Sequence, residues 1–157
     1  MVKNYEMVFI SPVGPIGINS NDEMIYELKF DADLKKIKPK NTFLKEICKQ
    51  LELYFNKKLN KFDIPYIISG TNYQSKILKE VARINYGHTS TYSEIAKIKK
   101  THPRPVGNAC RNNPIQLIVP CHRVVGKNNI GGFSGEDIKD NGHMMFIKKS
   151  LLNLEKK

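Results

Sequence analysis

Cysteine is scarce in this chain. Its three copies, Cys48, Cys110 and Cys121, are odd in number and far apart, which argues against a disulfide framework and for reduced thiols. No Cys/His spacing resembles a zinc site, so no metal is expected. No apolar run approaches the length of a membrane span, and the first residues lack the apolar stretch of a signal peptide. A cytoplasmic protein that does not engage membranes is therefore expected. Acidic residues are also in short supply: 15 Asp+Glu stand against 26 Lys+Arg, a formal charge of +11. Such a balance draws a protein to polyanions, although a solvated lysine-rich surface would have the same composition. Internal repeats and low-complexity tracts are absent. The chain does have apolar content: hydrophobic residues make up 40% of its 157 positions, enough to bury a core in one domain or two small ones.

Periodicity and turn residues divide the chain. Tyr5 to Ile10, Ile16 to Ile18 and Met24 to Phe30 read as three short strands, separated by a Ser11-Pro12-Val13-Gly14-Pro15 cluster and by Asn19 to Asp22. A polar, lysine-rich loop spans Asp31 to Lys40. Phe43, Leu44, Ile47, Leu51, Tyr54 and Phe55 then repeat at helical spacing, with Asn41 or Thr42 as cap. The irregular stretch from Asn56 to about Pro65 marks a boundary, which divides the chain into domains at 1–66 and 67–157. In the second half, helices are expected over Tyr73 to Ile84, Tyr92 to Lys99, Pro103 to Asn112 and Met144 to Leu154. Ile115 to Val119 reads as a short strand or extended run, and Gly126 to Gly135 as a glycine-rich loop. The pair across Lys100-Thr101-His102 has the outline of a helix-turn-helix, a weak signal alone. The fold class is α/β (α+β): a small antiparallel sheet with one helix, then a mostly helical subdomain.

Chemistry concentrates at Pro120-Cys121-His122-Arg123. An isolated Cys–His pair is more often a buried structural cysteine beside an incidental histidine. A thiol nucleophile instead needs a base or positive potential, because the thiolate is the attacking species. Adjacent residues on a strand point to opposite faces, so contact between Cys121 and His122 requires a turn or a bridging water.

The wider pattern decides between these readings. Asn113 to Val125 (Asn-Pro-Ile-Gln-Leu-Ile-Val-Pro-Cys-His-Arg-Val-Val) closely resembles the active-site signature of the O6-alkylguanine-DNA alkyltransferases. Gly70-Thr71-Asn72-Tyr73-Gln74, Tyr86-Gly87-His88-Thr89-Ser90-Thr91-Tyr92, Pro103-Arg104-Pro105-Val106-Gly107-Asn108-Ala109, Gly131-Gly132-Phe133-Ser134 and Leu151-Leu152-Asn153-Leu154-Glu155 are similar to further segments of that family, in the same order. The likeness is thinner before residue 70. It implies alkyl transfer from guanine O6 to Cys121, once per molecule and without a cofactor. His122 would act as base through a water, Glu155 would orient His122, and Tyr92 would hydrogen-bond the flipped guanine. Asn113 would serve as a hinge, and the base edge would meet Val124, Val125, Phe133 and Ser134. Arg104 would fill the space left by the extruded base, with Arg111, Thr71 and Gly107 in the DNA-contacting segments. The partner would be double-stranded DNA carrying O6-alkylguanine, entered from the minor groove by a monomer. Pro105 and Phe133 depart from the pattern, as does an extension from Glu136 to His143. A sensor that binds alkylated bases without reacting is the alternative, but such proteins lack the cysteine. A regulator that signals through Cys121 and a cysteine hydrolase have less support still.

Overall fold

The computed structural model describes residues 4–137, 139 and 142–156. Residues 1–3 and 157 of the two expected domains, and Ile138, Asp140 and Asn141 of the extension, lie outside the described residues. The chain forms two compact units. One runs to Ile68 and takes in Pro114–Gln116; the other comprises Ser69–Asn113 and the chain from Leu117 onward.

The first unit is an antiparallel meander of β1 (Met7–Ser11), β2 (Gly14–Ser20) and β3 (Ile25–Phe30). Met7, Ile16, Ile18 and Leu28 share one buried face, whereas Ile10 and Tyr26 are exposed. Gly17 lets the Tyr5 ring lie directly on β2, since a Cβ there would sit 2.6 Å from the ring. Helix α1 (Thr42–Phe55) contacts β1 and buries Leu44, Ile47, Leu51 and Tyr54. Asn41 caps it by accepting from Leu44 N at 2.8 Å. Each buried leucine contributes roughly 1.5–3 kcal/mol of apolar transfer energy. The lysine-rich stretch after α1, irregular in sequence, is clasped near its end by the Gln50 amide. Gln50 Oε1 accepts from Asp63 N at 2.8 Å, and its Nε2 donates to Asp63 O at 3.1 Å. Pro114–Gln116 join β3 in the same way: Leu28 N donates to Pro114 O, Gln116 N donates to Leu28 O, and Gln116 Oε1 accepts from Phe30 N.

The second unit holds α2 (Asn72–Val81), β4 (Ser90–Thr91), α3 (Tyr92–Ile98), α4 (Pro103–Arg111), a 3-10 turn (Cys121–Arg123), β5 (Val124–Val125) and α5 (His143–Leu154). Thr71 and Thr91 cap α2 and α3 by accepting from Gln74 N and Glu94 N. Helix α4 begins at Pro103 with His102 at the cap position but no side-chain cap bond. Pro103 and Pro105 therefore fall in the first turn, where helical N–H groups have no partner to lose. Glu136 takes the place of a cap residue on α5, accepting from Met145 N at 3.0 Å.

Two expected elements differ, and two further strands were not expected. Helix α2 stops at Val81 rather than Ile84: Arg83 N and Ile84 N close tight turns onto Glu80 O and Val81 O. Ile115 to Val119 is not a strand. It makes one isolated bridge, Leu28 to Ile115, and then turns through Leu117, whose φ of 72° is left-handed. Two-residue strands β4 and β5, which no periodicity announces, pair in parallel.

Candidate active site

Cys121 opens the 3-10 turn and is 4% exposed, on the wall of a cavity of about 300 Å³. Tyr92, Arg104, Gly107, Arg111, Phe133 and Ser134 also line this cavity. Asn113 lies behind the thiol: its Nδ2 donates to Val119 O at 2.9 Å and to Cys121 Sγ at 3.2 Å. Burial pushes the Cys121 thiol well above its ordinary pKa, and the neighbouring Cys110 adds to the rise. The Asn113 amide and the charge of Lys148 oppose it.

The turn sends His122 away from the cavity wall into full burial. Its Nε2 lies 2.8 Å from Glu155 Oε2. Arg123 grips the same carboxylate with two donors, Nε to Oε1 at 2.8 Å and Nη2 to Oε2 at 2.9 Å, and its Nη1 donates to Ile84 O at 2.7 Å. The early end of α2 thus leaves Ile84 O to accept from Arg123. Burial lowers the His122 pKa, and the nearby Arg123 and Lys148 cations lower it further against the pull of Glu155, so the imidazole is neutral. Burial alone would raise Glu155, but hydrogen bonds from His122 and Arg123 overcome it and hold the carboxyl well below its usual range. A carboxylate only accepts, so the His122 proton sits on Nε2 and the lone pair on Nδ1. That Nδ1 is buried with no protein partner. Base character is therefore concentrated on one atom.

Tyr92 begins α3 and points its hydroxyl at Gly132 O, 3.5 Å away. Burial keeps the phenol protonated and able to donate, because its pKa is pushed far up. The chain passes this ring at Gly131, where φ is +71° and a Cβ would lie 2.8 Å from Tyr92 Cε2. Only glycine meets both demands.

Arg104 and Arg111 are exposed on α4, and both reach the cavity. Thr71 is exposed but engaged as the α2 cap and does not line the cavity. Val124 and Val125 are not among the lining residues either. Val124 is buried in β5, and Val125 borders a second cavity with Glu155 and Leu152. Among the described residues, no group of three His, Cys, Asp or Glu side chains is placed to hold a metal.

Two groups in the site were missed by sequence reasoning. Arg123 completes the carboxylate cluster. Lys148, fully buried on α5, donates to Val124 O at 2.7 Å and Gly132 O at 2.8 Å, and lies 5.9 Å from the Tyr92 ring centroid. Burial depresses its pKa to about 8, although the two thiols pull it upward. A signal existed: Met145, Lys148 and Leu151 share one helical stripe, so the lysine interrupts an apolar face.

Residues 72–157 match the family profile described as 6-O-methylguanine DNA methyltransferase, DNA binding domain. Residues 4–67 match the ribonuclease-like domain of the same methyltransferase. The methylated-DNA–protein-cysteine methyltransferase of Metallosphaera sedula is 36% identical over 94% of this chain and 90% of its own length. That of Archaeoglobus fulgidus is 44% identical over 70% and 74%. Among solved structures, the Mycobacterium tuberculosis O6-methylguanine methyltransferase superposes with a TM-score of 0.83 at 30% identity, covering 97% of this chain and 92% of that one. The structure of Mycobacterium tuberculosis OGT in complex with DNA gives 0.79 at 31% identity, covering 95% and 91%. The chain belongs to the 6-O-methylguanine DNA methyltransferase family.

Proposed function

We propose that the protein repairs DNA by direct, irreversible transfer of an alkyl group from guanine O6 to Cys121, once per molecule and without a cofactor. The observation that carries this reading is the thiol on the cavity wall, held by Asn113 and adjoining a neutral histidine whose tautomer is fixed by a buried carboxylate. His122 Nδ1 takes the thiol proton through a water. The sulfur attacks the alkyl carbon, the C–S bond forms as the C–O bond breaks, and the electron pair stays on guanine. Tyr92, kept protonated, donates to the departing base. Lys148 ties the Gly131-Gly132 loop to β5 and places positive charge near the developing thiolate. The product is a thioether with no good leaving group, so the molecule is spent.

DNA is the partner. The finer reading is that α4 enters the minor groove, the target base turns out into the cavity, and the protein acts as a monomer. Support comes from Arg104, exposed at the start of α4 and bordering the cavity, where it can fill the vacated stack. Arg111 and the Thr71 and Gly107 segments would meet the backbone. We assign binding and chemistry to residues 67–157, and a supporting role to 1–66. A cytoplasmic setting suits the free thiols, and among the described residues no helix is long and apolar enough to cross a membrane. A sensor that binds without reacting has no use for the thiol, its amide donor and the buried relay.

The test is intact mass spectrometry after mixing the protein with an O6-methylguanine duplex. One methyl per protein, mapped to Cys121 and saturating there, is expected. DNA binding without a mass change would overturn the reading in favour of the sensor.

A further inference from the structure

Cys110 has no part in this chemistry. It lies in the last turn of α4, is buried, and lines the same cavity as Cys121. Asn113 brackets the two residues. Its backbone N–H donates to Cys110 O at 3.1 Å, and its side-chain amide donates to Cys121 Sγ at 3.2 Å. Asn113 thus joins the two cysteines at the wall of one cavity. Both are free, and the third thiol, Cys48, lies elsewhere on α1, 3.8 Å from Glu52.

We propose that Cys110 is a resolving thiol, and that hydrogen peroxide entering the cavity converts Cys110 and Cys121 into a reversible disulfide. Cys121 Sγ, its proton taken up by the His122 relay, attacks one peroxide oxygen. The O–O bond breaks, the departing hydroxide takes a proton and leaves as water, and Cys121 becomes a sulfenic acid. Cys110 sulfur then attacks Cys121 sulfur; the S–O bond breaks, and a second water leaves with the Cys110 proton. Two thiols lose two electrons and two protons, and one peroxide is reduced to two waters. The S–S bond, about 2 Å long, would form inside the cavity that both side chains already line.

The oxidant class follows from the cavity. With Cys121 only 4% exposed at its wall, a small uncharged molecule reaches the sulfur and a bulky peptide disulfide does not. Burial holds the thiolate fraction down, so oxidation is slower than at an exposed, acidic sensor cysteine. What Cys110 changes is the fate of the sulfenic acid. Left alone, it proceeds with further peroxide to sulfinic acid, which is irreversible; a neighbouring thiol captures it first. A molecule already alkylated on Cys121 cannot form the bond, so the protection reaches only molecules still able to react.

The experiment exposes the full, reduced chain to hydrogen peroxide, blocks remaining thiols, and maps tryptic peptides without reduction. Arg111 separates the two cysteines on digestion. The expected result is loss of two hydrogens, a Cys110–Cys121 cross-link, one blockable thiol at Cys48, and return of methyl uptake after dithiothreitol. In C110A, Cys121 should instead gain two oxygens that dithiothreitol does not remove. If C110A does not fold, the wild-type map decides alone. Wild-type Cys121 gaining oxygens while Cys110 stays free, or a cross-link through Cys48, would overturn the inference. Methyl uptake is read separately, so a missing cross-link with uptake intact rejects this inference and leaves the repair function standing.

Discussion

The two halves of the chain differ in what they do with charge. Residues 1–66 carry 11 Lys+Arg against nine Asp+Glu and no arginine. Residues 67–157 carry 15 against six, with all four arginines. The difference continues inward. Among the described residues, the buried polar ones of the first unit are neutral: Ser11, Ser20, Gln50 and Gln116. Those of the second are Asn113, His122, Arg123, Lys148 and Glu155, four of them ionisable. Burying ions costs stability unless each is matched, and an apolar cluster of equal volume would often be the more stable choice. The first unit made that choice. In the second, charges under cover set a proton on one histidine nitrogen and a field around one sulfur.

The contrast predicts which changes separate folding from chemistry. The largest effect is expected at the sulfur: C121S should retain DNA binding and lose alkyl transfer entirely, and residual stoichiometric uptake would place the nucleophile elsewhere. Next is E155Q, which leaves Arg123 buried without its anion. A stability loss of about 3–5 kcal/mol is expected in denaturant melts, together with slower transfer per folded molecule. L51A in the first unit should lose a comparable ~2–5 kcal/mol yet transfer normally per folded molecule, and equal transfer defects in both variants would erase the contrast. R104A should slow repair of a duplex by roughly 10–100-fold, the value of a charge-assisted contact, while reaction with free O6-benzylguanine is preserved. Equal losses on both substrates would remove Arg104 from base extrusion.

Smaller still are the pH effects, at most about 1.4 kcal/mol per pH unit for each group. His122 has a folded pKa below its ordinary 6.5, so the unfolded chain binds its proton first and stability falls as pH drops below that value. Glu155, depressed below 4.5, continues the loss as pH falls further. Lys148 acts at the alkaline end. Its folded pKa of about 8 lies below the ordinary 10.5, so between those values the unfolded chain holds more protons and rising pH favours the folded state. The melting temperature of wild type relative to K148M should therefore climb from pH 8 towards 10.5; a flat difference would contradict the buried ammonium.

Much of this was legible in the sequence, and the remainder failed for identifiable reasons. Apolar spacing located α1 at Thr42–Phe55, because a half-buried helix writes its period into its residues. The Cys121-His122 pair, Asn113 and Glu155 came from the motif resemblance, and the fold sets Asn113 against Cys121 and Glu155 against His122. Arg123 and Lys148 escaped because lysine and arginine are surface residues by default, and only their contacts show otherwise. Strands β4 and β5 are too short to carry a period. The turn at Leu117 was hidden because a left-handed leucine within an apolar run looks like strand.

The Gln50 clasp has a consequence for handling the protein. Lys57, Lys58 and Lys61 are exposed in the segment whose end that side chain fastens, so the stretch offers trypsin its preferred residues on a backbone that is tied down. A protease needs several residues of extended, released chain, so the cleavage rate here would report how often the clasped segment lets go. That would make the segment a built-in gauge of local opening, readable on a gel without any label.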